Sequence, residues 1–179
     1  TVWQDYAGKN SYLTEDAEAK RNFVGKFARE VKPAKAWDLG CNTGDFSKVL
    51  LENGVQWVIG FDFDQGAIDG SFARAKSEEL NMQPLFLDAA NPSPGQGWNE
   101  RERMGLGQRA DADAIIALAF VHHLAIGKNI PLHQLVDWLV GLAPQGIIEF
   151  VPKQDPMVKE LLMFRKDIFP DYSEEHFIS

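Results

Sequence analysis

Four groups of residues in this 179-residue chain have types and spacing suited to chemistry. The first is Asp38-Leu39-Gly40-Cys41-Asn42-Thr43-Gly44, a carboxylate followed by a glycine-rich turn. Glycines let the backbone turn sharply and approach a ligand, and the N–H groups that open a following helix suit an anion. The second is Asp62-Phe63-Asp64. A carboxylate there can accept more than one hydrogen bond from a ligand. The third is Asp88-Ala89, an acceptor side chain beside a backbone donor. The fourth is Ala119-Phe120-Val121-His122-His123, where an imidazole can move a proton near neutral pH.

These groups need elements to hold them. Thr14 is expected to cap a helix over residues 15–31, with Glu15, Asp16 and Glu18 in its first turn and Phe23, Phe27 and Val31 along one face. Pro33 stops it. A strand over 36–39 ends at Gly40, and a helix over 45–52 turns Phe46, Val49 and Leu50 inward before Asn53-Gly54 closes it. A strand over 57–61 and a helix over 65–80 follow, the helix burying Ile68, Phe72 and Ala75. Residues 84–87 read as the third strand. Residues 91–111 break the rhythm and read as a loop with room for one short helix. A strand over 114–118 precedes a helix over 131–142, opened by Pro131 in its first turn. Its inward residues are Leu132, Leu135, Val136, Leu139 and Leu142. A fifth strand over 146–151 and a helix over 156–169 come next. Ser173-Glu174-Glu175 then begins to cap another helix.

Strands alternating with helices predict an α/β fold, a parallel sheet covered on both faces by helices. The strands are short apolar runs without strict alternation, as doubly buried strands should be. In such sheets ligands bind beyond the carboxyl ends of the strands. All four chemical groups follow a predicted strand.

Taken together, residues 35–150 resemble the class I S-adenosylmethionine-dependent methyltransferases. That family's first motif is an acidic residue followed by Gly-x-Gly-x-Gly. Here it stands as Asp38-Leu39-Gly40-Cys41-Asn42-Thr43-Gly44, with Asn42 in place of the middle glycine. Asn is the non-glycine residue that best tolerates positive φ, although its side chain narrows the approach. The resemblance implies a Rossmann-like doubly wound sheet of five parallel strands in the order 3-2-1-4-5. It further implies a closing antiparallel hairpin that these residues do not supply. It implies S-adenosylmethionine as cofactor and S-adenosylhomocysteine as product. Asp38 would orient the methionine ammonium, directly or through water, beside Gly40, Cys41, Asn42 and Gly44. Asp62 would hold the ribose hydroxyls next to Phe63, with Asp64 a near alternative. Asp88 and the N–H of Ala89 would read the adenine, and Ala119, Phe120, His122 and His123 would face the methyl group. The rival nucleotide patterns, Gly-x-Gly-x-x-Gly and Gly-Lys-Ser/Thr, are absent.

Methyl transfer from a sulfonium is an in-line displacement, so positioning supplies much of the rate. A base is needed only where the acceptor must lose its proton early. His122 and His123 are the candidates for that base, against a plain role in packing or capping the loop. The Asp/Asn-Pro-Pro-aromatic motif of base- and glutamine-methylating relatives does not follow the fourth strand. Asn91-Pro92-Ser93-Pro94 follows the third, and Val121-His122-His123-Leu124 resembles small-molecule methyltransferases. A metal set would add His133 and Glu149. Adjacent histidines at a strand end rarely converge on one ion, so no metal is expected. Cys41 has no base fixed beside it and reads as a small neighbour of the ligand. Lys153 and Asp155 are rim residues or solvated charges. Ser11-Tyr12 is a lid segment or a surface turn. Trp98 packs on the core or closes the acceptor pocket.

Composition bounds the partners. Hydrophobic residues make up 45% and charged residues 25%, which is ordinary globular usage. Eighteen basic against 26 acidic residues leave a net charge of -8. That weighs against a nucleic-acid partner. The longest apolar run, residues 114–121, is too short to span a membrane. One cysteine and the absence of a signal-like opening fit a cytoplasmic setting. Residues 1–34 are expected to form a lead-in and helix, and 35–179 a cofactor-binding domain that stops short of its full length. The expected activity is methyl transfer to an O or N atom of a small molecule. The alternatives are an RNA or protein acceptor, or a non-catalytic module of a larger protein.

Overall fold

The computed structural model describes residues 11–164 and 166–179. In chain order the elements are α1 (Ser11–Val31), β1 (Lys35–Leu39), α2 (Asp45–Glu52), β2 (Trp57–Asp62), α3 (Gln65–Ser77) and β3 (Met82–Phe86). They continue as β4 (Ala114–Ala117), α4 (Val121–Ala125), α5 (Leu132–Val140), β5 (Gly146–Ile148), α6 (Pro156–Leu162) and α7 (Glu174–Ile178). The strands form one sheet in the order β3-β2-β1-β4-β5. The pairs β1–β2, β2–β3 and β4–β5 are parallel. This is the doubly wound order expected. The chain divides after Leu87 into two compact units. Among the described residues no helix is long and apolar enough to cross a membrane.

In the first unit, β1 buries four of its five residues, and its register sets Asp38 opposite Gly60 and Leu39 opposite Phe61. β3 alternates instead of being buried throughout, leaving Leu85 and Phe86 exposed. It is the sheet's edge, which is why Pro84 is tolerated within it. α1 begins ahead of Thr14, which lies inside the helix and does not cap it. Ser11 and Tyr12 are its first residues, while residues 1–10 of the expected lead-in lie outside the described residues.

Two helices depart from the expected inward residues, α1 by a change of face and α3 at Phe72 alone, since its Ile68 and Ala75 are buried as expected. α1 buries Val24, Gly25 and Ala28 and leaves Phe23 60% exposed. The reason is close approach to the end of α2: a Cβ on Gly25 would lie 3.0–3.2 Å from the Asn53 side chain. α3 buries Ala67, Ile68, Ser71 and Ala75, while Phe72 is 58% exposed. Small residues line that face because Met82 and Gly44 press against it. α3 also ends at Ser77, short of residue 80.

In the second unit, β4 is fully buried, as its unbroken apolar run predicts. β5 is only three residues long, and the last bond from it to β4 is the Glu149 N–H to the Ala117 carbonyl at 3.0 Å. α5 buries Leu132, Leu135 and Leu139, and Leu142 beyond it, with Val136 half-buried. Pro131 sits at its N-cap, not in its first turn. α6 stops at Leu162, well before residue 169. The chain beyond it is drawn to the segment after β5, where Lys153 Nζ donates to Asp167 (2.8 and 3.0 Å) and to the Phe169 carbonyl (2.7 Å). The Tyr172 hydroxyl donates to the Val151 carbonyl at 2.7 Å, and Phe150 stacks between Tyr172 and Phe177. Ser173 caps α7, as expected, accepting from the His176 N–H.

Residues 91–111 hold no α-helix. They form short 3-10 turns at Trp98–Glu100 and Gly107–Arg109, with a bridge between Gln96 and Arg103. The sequence reading did not resolve α4: Val121-His122-His123-Leu124 is helical, not a strand end.

Candidate functional site

The glycine-rich turn of the first unit is tied down from below. The N–H groups of Gly40 and Cys41 both donate to the Phe61 carbonyl, at 2.8 and 3.0 Å. The chain then passes through the left-handed region at Gly40 (φ 79°), Asn42 (φ 48°) and Gly44 (φ 82°). Gly44 is required twice over. Its φ disfavours any side chain, and a Cβ there would lie 2.9 Å from Met82 Cε and 3.1 Å from Ser71 Oγ. Asn42 takes the middle position without a glycine, as its tolerance of positive φ permits.

Asp62 closes this loop. Its Oδ2 accepts from the Asn42 N–H and its Oδ1 from the Asp64 N–H, both at 2.8 Å. The carboxylate is thereby fixed by backbone on both sides. Each oxygen still has a second lone pair, so the pair of oxygens can take two further donors. Phe63, 59% exposed, lies next to it and meets Phe86 with ring centroids 5.9 Å apart. Asp64 has different work. It is the N-cap of α3, accepting from Gly66 and Ala67.

Asp38 sits beneath the turn and is 2% exposed. Ser47 Oγ, from α2, donates to its Oδ2 at 2.6 Å. Burial pushes the Asp38 carboxyl up to about 7, with the nearby Asp62 charge adding to the rise and the Ser47 hydrogen bond opposing it. The Cys41 side chain turns into the core with Ala75 and Met82, its Sγ 3.6 Å from the Asn42 carbonyl. Burial first, then the Asp38 and Asp62 charges, push its thiol far above the ordinary range. That environment suppresses the thiolate a nucleophile would need.

The first unit thus gathers Gly40, Asn42, Gly44 and Asp62 around one turn, with Phe63 beside it. Sequence reasoning missed two contributors. Ser47 is fully buried within a predicted apolar helix face, and its only signal was a hydroxyl among Phe46, Val49 and Leu50. Gly60 lies inside β2, where a Cβ would come within 2.8 Å of Met82 Cε and 2.9 Å of Cys41 Sγ. A glycine within a strand is itself a sign of close approach.

In the second unit, Asp88 forms a tight turn, its Oδ1 accepting from Ala90 N–H at 3.0 Å and its carbonyl from Asn91 N–H at 3.0 Å. Asp88 and Ala89 are half-buried. Ala119, just past β4, is exposed and left-handed (φ 48°), with its N–H donated to Glu149 Oε2 at 2.7 Å. α4 follows. His122 is 1% exposed and His123 half-buried, their rings 4.1 Å apart. His133 is exposed on α5, and among the described residues no three His, Cys, Asp or Glu side chains are grouped to hold a metal. Lys153 is engaged with Asp167, and Asp155 caps α6 by accepting from Met157 N–H. Trp98 is 84% exposed, so it does not pack on the core.

No family model matches the chain. Over all 179 residues it is 54% identical to the nodulation protein NoeA of Rhizobium meliloti (strain 1021), and it spans 38% of that protein's length. Among solved structures, monomeric WbdD superposes on 97% of this chain and 39% of its own, at a TM-score of 0.61 and 20% identity. WbdD is described as a bifunctional kinase-methyltransferase. The methyltransferase domain of bacterial CtHen1-C covers 72% of this chain and 63% of its own, at a TM-score of 0.53 and 15% identity. The S-adenosylhomocysteine-bound methyltransferase PaMTH1 of Podospora anserina covers 72% and 50%, at 0.51 and 16%. The chain has the Rossmann-like methyltransferase fold.

Proposed function

We propose that this chain binds S-adenosylmethionine and transfers its methyl group to an O or N atom of a small molecule. The observation that carries the reading is the Asp62 carboxylate, fixed by two backbone N–H groups at the edge of a turn with three left-handed residues. A rigid carboxylate with lone pairs to spare suits a ribose diol. The turn and the start of α2 suit the carboxylate end of the methionine. Phe63 offers an apolar face to the adenine, and the resemblance to the methyltransferases assigns the adenine edge to Asp88 and Ala89. Asp38 acts through Ser47, holding α2 under the turn. Its burial favours this indirect role over direct contact with the ammonium.

S-adenosylmethionine supplies an electrophilic methyl group on a positively charged sulfur. The acceptor's lone pair forms the new bond to carbon as the carbon–sulfur bond breaks, leaving S-adenosylhomocysteine. The protein's part is to hold both partners in line. His123, with more solvent access than His122, is the base for an acceptor that must give up a proton. His122 packs α4 from within. The net charge of -8 favours a small acceptor over a polyanion. A second reading, a cofactor-binding module within a longer protein, is favoured by the chain's spanning 38% of NoeA. A cytoplasmic location goes with either.

Calorimetric titration with S-adenosylmethionine and with S-adenosylhomocysteine tests the site. The expected result is saturable binding of both, weakened in Asp62→Ala by about 1–3 kcal/mol for the lost charged acceptor. A folded chain that binds neither would overturn the reading.

A further inference from the structure

Ala119 is an anomaly. It is exposed, it is not a glycine, and it lies in the left-handed region at φ 48°. A side chain there carries a backbone cost that persists only where its surroundings enforce the conformation. The enforcing group is Glu149. Its carboxylate Oε2 accepts the Ala119 N–H at 2.7 Å, and its own N–H donates to the Ala117 carbonyl at 3.0 Å. One residue just past β5 therefore grips the end of β4 at two points, two residues apart. Between those points the chain leaves the sheet. Directly after them it enters α4, whose first turn is closed by His123 N–H donating to the Phe120 carbonyl at 3.1 Å. The N-cap residue Phe120 makes no side-chain cap bond, so the turn before α4 bears on the direction in which it starts.

We propose that Glu149 is a positioning residue: by holding the Ala119 N–H it fixes the turn between β4 and α4, and with it the groups presented to the transferring methyl. This rests on the methyltransferase reading above, in which Ala119 and its neighbours face the methyl-bearing sulfur. Glu149 acts through the backbone of Ala119 and not on the acceptor. The charge on the carboxylate strengthens the bond but is not what the turn needs, since an amide oxygen accepts the same N–H.

Three variants test this: Glu149→Ala, Glu149→Gln, and Glu149→Ala combined with Ala119→Gly. Two quantities are read in each. The first is amide hydrogen exchange over residues 119–124. The second is the ratio of affinities for S-adenosylmethionine and S-adenosylhomocysteine, which differ only at the sulfur and its methyl. Damage to the fold at large lowers both affinities together and leaves their ratio alone. Glu149→Ala is expected to speed exchange in the turn by roughly tenfold or more and to shift the ratio by a comparable factor. Glu149→Gln should keep both near wild type. Glycine at position 119 adopts the left-handed conformation without help, so the double variant should recover much of the loss.

A Glu149→Ala protein with wild-type exchange and wild-type ratio would overturn the proposal. So would a Glu149→Gln protein as impaired as Glu149→Ala. Should the wild-type protein bind neither ligand, the methyltransferase reading falls, while the exchange measurements still show whether Glu149 holds the turn.

Discussion

Asp38 and Asp62 are both strand-end carboxylates, yet their surroundings give them opposite characters. Asp62 is held by two N–H donors and is not buried, whereas Asp38 is buried and receives hydrogen bonds from the Ser47 hydroxyl and the Ser47 backbone. With its carboxyl raised from 3.8 to about 7, Asp38 binds a proton in the folded chain that the unfolded chain has already released. Between those limits the native state holds more protons, so stability falls as pH rises from about 4 to about 7. At about 1.4 kcal/mol per unit the ceiling is about 4 kcal/mol. Asp38→Asn keeps an oxygen for Ser47 and carries no charge. It should flatten this slope and melt higher than wild type at pH 8, as thermal unfolding across pH will show; an unchanged slope would assign the pH dependence elsewhere. Gly44→Ala should cost about 1–3 kcal/mol in the same assay, from positive φ and the contact with Met82. The left-handed turn at Gly40 and Gly44 was legible because a tolerated φ is a local property of residue type. The part played by Ser47 was not, since it depends on which way a neighbouring helix faces. The same holds for Cys41, whose place in the turn says nothing of its side chain pointing into the core.

At the scale of elements, the order of strands and helices followed from alternating apolar runs and breakers, and the start of α2 was readable to the residue. The inward face of α1 was not, and that of α3 only in part, since Ile68 and Ala75 are buried as expected while Phe72 is exposed. The sequence reading sent large side chains inward, Phe23 and Phe72 among them, because burying more area normally stabilises more. That rule fails where two backbones approach closely. Gly25 against Asn53, and Ser71 against Met82 and Gly44, occupy gaps that only small residues fit. The inversion has a direct test. Gly25→Val and Ser71→Leu should each lower stability by about 1–3 kcal/mol through overpacking. Phe23→Ser and Phe72→Ser, at exposed positions, should stay within about 0.5 kcal/mol of wild type. Urea unfolding of the four variants decides it. Large losses from the phenylalanine variants would restore the original faces. The ends of α6 and β5 escaped prediction for a related reason. Lys153, Tyr172 and Phe150 tie the segment after β5 to the end of the chain, and no local pattern announces contacts so distant in sequence.

For the molecule as a whole, the fold class was legible while the division after Leu87 was not, because no linker-like composition marks it. Net charge acts at this scale too. A charge of -8 sets up a field that reaches about 30 Å at 0.01 M salt and about 8 Å at physiological strength. S-adenosylmethionine carries an ammonium, a carboxylate and a sulfonium, and is cationic overall. S-adenosylhomocysteine lacks the sulfonium and is neutral overall. An acidic protein therefore attracts S-adenosylmethionine by its field and is indifferent to S-adenosylhomocysteine, so under the proposed function the field would favour exchange of product for substrate. Raising salt from about 0.01 M to about 0.5 M should weaken S-adenosylmethionine binding several-fold and leave S-adenosylhomocysteine nearly unchanged. The two titrations on the wild-type chain at both salt concentrations measure it. A parallel decline would mean that contacts common to both ligands carry the salt dependence. Equal insensitivity would place any preference for the cation in short-range contacts around the sulfur, where the turn held by Glu149 would have to supply it without help from the field of the whole protein.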